Sequence, residues 1–210
     1  MTRINRAASA VLVAGAAVFV IALGAIGGAR GAAAETPGAA ETGGKSFAVD
    51  PVHATVLFRV KHLNASHFYG RFNAVAGTFT LGDTASFDVA VKADSVDTNN
   101  EKRNGHLKSP DFFAAKEFPE IKCVGTDLKK SGENAWKGSA NLTFHGVVKP
   151  VEIVVTQTGT GDGKGIGGQH EVAGIETTFT IKRSDFGASN YLAQVSDEVT
   201  LIVALEGAPK

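Results

Sequence analysis

The sequence predicts an all-β domain of about eight antiparallel strands, broken once by a short helical segment near residues 100–115. Three observations carry this. Apolar and polar residues alternate with period two over long stretches. The links between those stretches are short and made of turn residues. One stretch, residues 102–122, abandons the alternation altogether. Period two puts successive side chains on opposite faces, as in a strand with one buried face.

In chain order, the first element is a targeting segment. "MTRINR" is basic, residues 7–29 are uncharged and almost wholly apolar, and "GAAAETP" follows. Basic, apolar and small-residue regions in that order read as a secretory signal over residues 1–34, with Ala32 and Ala34 at an A-x-A cleavage site. The same apolar run is long enough to span a bilayer, so an uncleaved anchor stays open beside it. Both readings place the rest of the chain outside the cytoplasm, in the periplasm or beyond the cell. Residues 35–45, "ETPGAAETGGK", are a linker by composition, and the folded domain is expected over 46–207.

Three strands are written plainly. In "HATVLFRVKHL", Val56, Phe58 and Val60 oppose Arg59 and Lys61. In "SFDVAVKADSV", Phe87, Val89 and Val91 oppose Asp88 and Lys92. In "GIETTFTIKR", Ile175, Thr177, Phe179 and Ile181 oppose Glu176, Thr178 and Lys182. Weaker alternation marks 71–81, 120–129, 135–145, 147–158 and 197–206. Turns such as "LGDTAS", "KSGENA" and "FHGVV" are short enough to pair neighbouring strands as meanders. Eight such strands make a sandwich or a closed barrel, and closure removes the exposed edges. Inward positions mix bulky Phe and Val with the small Ala74, Ala76, Gly138 and Ala140. That mixture suits a cavity and suits a packed core equally.

Composition excludes several classes. Lys plus Arg and Asp plus Glu are 21 each, so nothing electrostatic points to nucleic acid. The single Cys123 permits no intrachain disulfide and reads as a small strand residue. "GKGIGG" at 163–168 matches G-x-G-x-x-G in form, but a strand-like stretch follows it where dinucleotide binding needs a helix. There is no Walker loop, no G-x-S-x-G and no H-E-x-x-H. The six histidines show no metal-ligand spacing and read as structural or turn residues, and no metal or other cofactor is expected.

The chain is similar to the YceI family of bacterial exported proteins. The likeness is carried by "FAVDPVHATVLFRVKHL", "GRFNAVAGTF", "KRNGHLKSPDFFAAKEFPEI", "LTFHGVVKPV", "IKRSDFG" and "VSDEVTLIVALE". One departure is Asn104-Gly105, where an acidic residue is common after the arginine. The resemblance implies a lipocalin-like, eight-stranded antiparallel barrel with an apolar cavity that takes a polyisoprenoid or related long-chain amphiphile. It brings no catalytic residues. Val56, Phe58, Val60 and Phe72 would line that cavity, with Phe87, Val89, Phe144, Phe179 and Ile181. The 102–122 stretch would then bridge two strands across one end. Ser109 before Pro110 forms an N-cap and first-turn pair. Phe112 and Phe113 would point over or into the mouth, and Lys102, Arg103 and Lys108 would stay on its rim.

The leading expectation is therefore an exported lipid-binding protein acting in transport, storage or stress protection, and not an enzyme. A packed barrel acting as a protein-interaction module is the alternative. A metal enzyme using His62, His67 or His106 is a third. A membrane would be met only through an uncleaved N-terminal segment. Oligomeric state is left open, a dimer included.

Overall fold

The computed structural model describes residues 43–163 and 171–210. The targeting segment, most of the linker, His170 and most of the "GKGIGG" stretch lie outside the described residues. Among the described residues no helix is long and apolar enough to cross a membrane.

Eleven strands form one sheet. They are β1 (Lys45–Val49), β2 (Thr55–His62), β3 (Ser66–Phe72), β4 (Val75–Leu81), β5 (Thr84–Lys92), β6 (Val96–Asp97), β7 (Glu120–Gly132), β8 (Ala135–Phe144), β9 (Val147–Asp162), β10 (Glu171–Lys182) and β11 (Glu198–Pro209). One helix, α1 (Glu101–Leu107), lies between β6 and β7. The pairing makes the count of eight intelligible. β1 and β2 both pair antiparallel with β11, β4 pairs with β1, and β3 pairs with β2. β5 pairs with β4, and β6 with β3. So β1 with β2, β3 with β4, and β5 with β6 are three staves, each interrupted once. With β7 to β11 they close an eight-stave antiparallel barrel, sealed where β1 and β2 meet β11.

Each interruption has a local cause. Pro51 has no N–H to give to a ladder, and the first break, residues 50–54, contains it. The second break falls at Asn73–Ala74 and changes parity. Phe72 faces inward in β3, yet Val75, Phe79 and Leu81 face inward in β4. An odd offset swaps the two faces of a strand. Ala76 is therefore exposed and Ala74 only half-buried, which corrects the expectation that both face the interior. Gly77 follows that break with φ +153°, and a Cβ there would sit 2.2 Å from the Asp88 carbonyl oxygen. Only glycine lets β4 approach β5 so closely.

One end of the barrel is solid. Phe47 and Phe79 stack at 5.1 Å, and Leu128 and Trp136 are buried with them. The Trp136 indole N–H donates to the Gly82 carbonyl at 3.0 Å. The other end carries α1, residues 108–118 and the 187–197 loop.

The helix starts earlier than the Ser109–Pro110 pair suggests. Asn100 is its N-cap, accepting from the Arg103 N–H at 3.0 Å. The helix stops at Leu107 because the residue before a proline avoids the α region. Residues 109–118 then run as successive turns.

Outside the barrel, at the first break, Asp50, His53 and Glu206 cluster. His53 Nδ1 lies 2.8 Å from Asp50 and 3.8 Å from Glu206. The hydrogen bond and charge of Asp50 raise the His53 pKa, and His53 lowers that of Asp50. The histidine's contribution is complete below its unfolded pKa and is lost as pH rises through the raised folded value. The carboxylate's is present above its unfolded pKa and is lost as pH falls through the lowered folded value. The pair therefore acts between the ordinary carboxylate and histidine ranges, about pH 4 to 6.5. His53 is exposed and Asp50 only half-buried, so the effect on stability is small. By NMR, His53 should titrate above the ordinary histidine value in the parent and return toward it in Asp50→Asn. An unchanged titration in that variant would exclude the pairing.

Candidate ligand-binding cavity

Above the solid end the staves enclose a cavity of about 460 Å³. Its wall follows from the inward parity of each strand. β10 and β11 show it most clearly, where Ile175 faces Leu205, Thr177 faces Val203, Phe179 faces Leu201 and Ile181 faces Val199. All eight of those side chains border the cavity. From β2 come Val56, Phe58 and Val60, and from β3 come Phe68 and Phe72. Gly70 lies between those two, and the Phe58 ring folds over it. A Cβ at Gly70 would fall 2.2 Å from that ring.

All eleven residues expected to line a cavity border this one: Val56, Phe58, Val60, Phe72, Phe87, Val89, Phe112, Phe113, Phe144, Phe179 and Ile181. The two adjacent phenylalanines do different things there. Phe113 points in. Its ring meets Phe58 at 6.0 Å, Phe72 at 5.4 Å and Phe144 at 6.1 Å, each edge-on. Phe112 stays at the mouth, stacked on Tyr191 at 5.6 Å and edge-on to His106 at 5.1 Å. His106 Nε2 lies 3.0 Å from Asp111, whose other oxygen is 3.5 Å from the Asn190 amide. These contacts clasp residues 106–112 to residues 190–191 across the opening.

The facing loop has its own scaffold. Arg183 is buried, and its guanidinium donates to four carbonyls, those of Ala188, Asn190, Val195 and Ser196, at 2.6–3.0 Å. The Asp197 carboxylate accepts from the Ser184 N–H at 2.8 Å and hydroxyl at 2.7 Å. Burial opposes its charge, but those two bonds and the Arg183 charge win, and its pKa is lowered. The "IKRSDFG" stretch thus shapes the loop that bears Tyr191.

Arg103 is exposed at the rim, as expected. Its guanidinium lies over the Phe68 ring at 4.4 Å, and both residues border the cavity. His62 and His106 border it too, whereas His67 does not. None of the three belongs to the one group of potential metal ligands among the described residues, the surface trio Asp50, His53 and Glu206.

Cys123 also borders the cavity, and burial pushes its thiol pKa up to about 12. A thiol is nucleophilic only as thiolate. Cys123 should resist iodoacetamide at pH 8 in the folded protein and react once the protein is unfolded in guanidinium. Rapid native alkylation would show a thiolate that this burial does not permit.

Sequence reasoning missed Phe68, Leu142, Ile153, Val155, Leu201 and Val203 as wall residues. Their signal was present in the period-two pattern of β3, β8, β9 and β11. Arg183 and Tyr191 carried none, because Arg183 is satisfied by loop carbonyls and Tyr191 by rings from a segment far away in sequence.

A YceI-like domain matches residues 47–207. The chain belongs to the YceI-like family. Among curated relatives, the UPF0312 protein of Pseudomonas aeruginosa is 38% identical over 183 residues, covering 85% of this chain and 94% of its own. Among solved structures, the Campylobacter jejuni YCEI protein is 29% identical with a TM-score of 0.62, covering 71% of this chain and 89% of its own. A polyisoprenoid binding domain from Saccharophagus degradans shares the fold at a TM-score of 0.61 and 15% identity, covering 79% of this chain and 99% of its own.

Proposed function

We propose that this protein binds a long-chain apolar ligand, a polyisoprenoid or related amphiphile, in the barrel cavity, and serves as an exported carrier, store or stress-protection protein. The observation that carries the reading is the cavity. Its volume falls within the usual range for small-molecule sites, and its wall is built from apolar side chains of every stave. Burying a chain there is worth about 0.8 kcal/mol per methylene, so affinity needs few polar contacts. The YceI-like fold, shared with a domain described as polyisoprenoid binding, supports the same ligand class. Export is supported by the order of basic, apolar and small residues over 1–34. No cofactor is required.

Organic extraction of protein purified from its native host, followed by mass spectrometry, tests this. A stoichiometric isoprenoid or fatty amphiphile is the expected result. A protein that yields no lipid, and whose melting temperature no long-chain lipid raises, would refute the binding reading and leave the interaction-module alternative. Fractionation of the host tests export separately.

A further inference from the structure

We propose that the cavity mouth carries a built site for an anionic headgroup, a phosphate or carboxylate, with Arg103 as its anchor. The proposal rests on the cavity-binding reading above and adds what the far end of the ligand must be.

The sequence brings a cation to an apolar wall. Arg103 leaves α1 toward the cavity and is held on three sides. Its Nε donates to the Thr98 hydroxyl at 2.8 Å, and its Nη2 donates to the Thr98 carbonyl at 2.6 Å. Its flat face lies over Phe68 at 4.4 Å. Thr98 is itself fixed, its N–H and hydroxyl both donating to the Asn104 side-chain oxygen at 2.9 and 2.6 Å. The guanidinium is therefore oriented before any ligand arrives, which lowers the entropy lost on binding.

What this cluster lacks is a negative charge. Among the described residues no carboxylate oxygen lies within 4.0 Å of the Arg103 guanidinium. The hydrogen-bond relay from Arg103 through Thr98 ends on a neutral amide, Asn104. The nearby acids are engaged elsewhere. Asp97 accepts from the Asn99 N–H and from the Asn73 and Asn104 amides, with Arg71 beside it. Asp111 is shared by His106 and Asn190. The other cations of this segment, Lys102 and Lys108, form no ion pair among the described residues, and Glu101 is exposed and also unpaired.

Arg103 is exposed, so the guanidinium edge not held by Thr98 is open to a ligand at the mouth. An oriented, unpaired arginine at the rim of an apolar cavity is matched by an amphiphile whose tail fills the cavity and whose anion meets the free guanidinium edge. Guanidinium suits phosphate and carboxylate because its N–H groups form a planar fork.

The test uses two probes with one tail, geranylgeranyl phosphate and geranylgeraniol. Each displaces the neutral fluorophore N-phenyl-1-naphthylamine from the full chain at neutral pH. The phosphate should displace at about tenfold lower concentration than the alcohol, as befits one charge-assisted contact. Arg103→Gln should reduce that preference to within about threefold. Asn104→Asp keeps an oxygen acceptor for Thr98 and adds the missing charge. It should reduce the preference in the same way, and it decides the matter if Arg103→Gln fails to fold. Millimolar inorganic phosphate should not displace the fluorophore. Equal affinities in the parent, or a preference retained in Arg103→Gln or in Asn104→Asp, would overturn the proposal. So would displacement by free phosphate alone, which would make this an ion site independent of the tail. If neither probe displaces the fluorophore, the cavity-binding reading itself fails.

Discussion

Arg183→Ala is expected to lower the melting temperature by about 10 °C and to free the 187–197 loop. The guanidinium is 4% exposed and joins four carbonyls of that loop, so its removal cancels four charge-assisted bonds at once. Breaking a buried charged interaction costs about 3–5 kcal/mol, and for a domain of this size each kcal/mol moves the midpoint by about 2–4 °C. Arg183→Lys should recover only part of the loss, because a point charge cannot address four acceptors in a fork. Hydrogen exchange separates local from global effects. The Gly187 and Ala188 amides, bonded to Ser184 and Arg183 in the parent, should lose protection first. A variant that melts like the parent with an unchanged exchange pattern would show that the carbonyls find other partners.

The second large effect separates two neighbours. Phe113→Ala should cost up to about 3 kcal/mol, the low end for a core phenylalanine, because the ring is edge-on to three others but only half-buried beside the cavity. Phe112→Ala should cost distinctly less, since its partners Tyr191 and His106 are partly solvated. Ligand exchange should respond the other way. Phe112 belongs to the clasp across the mouth, so its loss should speed ligand release while Phe113→Ala mainly weakens the apo fold. Thermal melts with and without a long-chain isoprenoid, with stopped-flow release, measure both. Equal stability losses and equal release rates would mean that the two rings act as a single plug.

The alternation in β2, β5 and β10 was legible, and with it the inward set that became the cavity wall. Phe58, Val89 and Phe179 needed no tertiary knowledge, because a barrel of antiparallel strands has one inside and period two assigns residues to it. Ala74 and Ala76 mark the limit of that logic. The odd offset from Phe72 to Val75 across Asn73–Ala74 reverses the faces, and nothing in the local pattern announces it. The "KSFAV" of β1 was too short to show a period, and two-residue β6 shows none.

The sequence by itself determined the class of fold, the number of staves, the apolar character of the interior and the place of the interruption, because these depend on local periodicity and on residues such as Pro51 and Pro110 whose backbone chemistry acts at short range. Only the tertiary structure decided how the interior divides into a solid end around Phe79 and Trp136 and a hollow end above it. It alone assigned Phe113 to the wall and Phe112 to the mouth, and laid Arg103 over Phe68. It alone gave Arg183 the loop carbonyls as partners. Those outcomes depend on residues far apart in sequence meeting at one end of a closed sheet, and closure is a property of the whole chain that no window of the sequence contains.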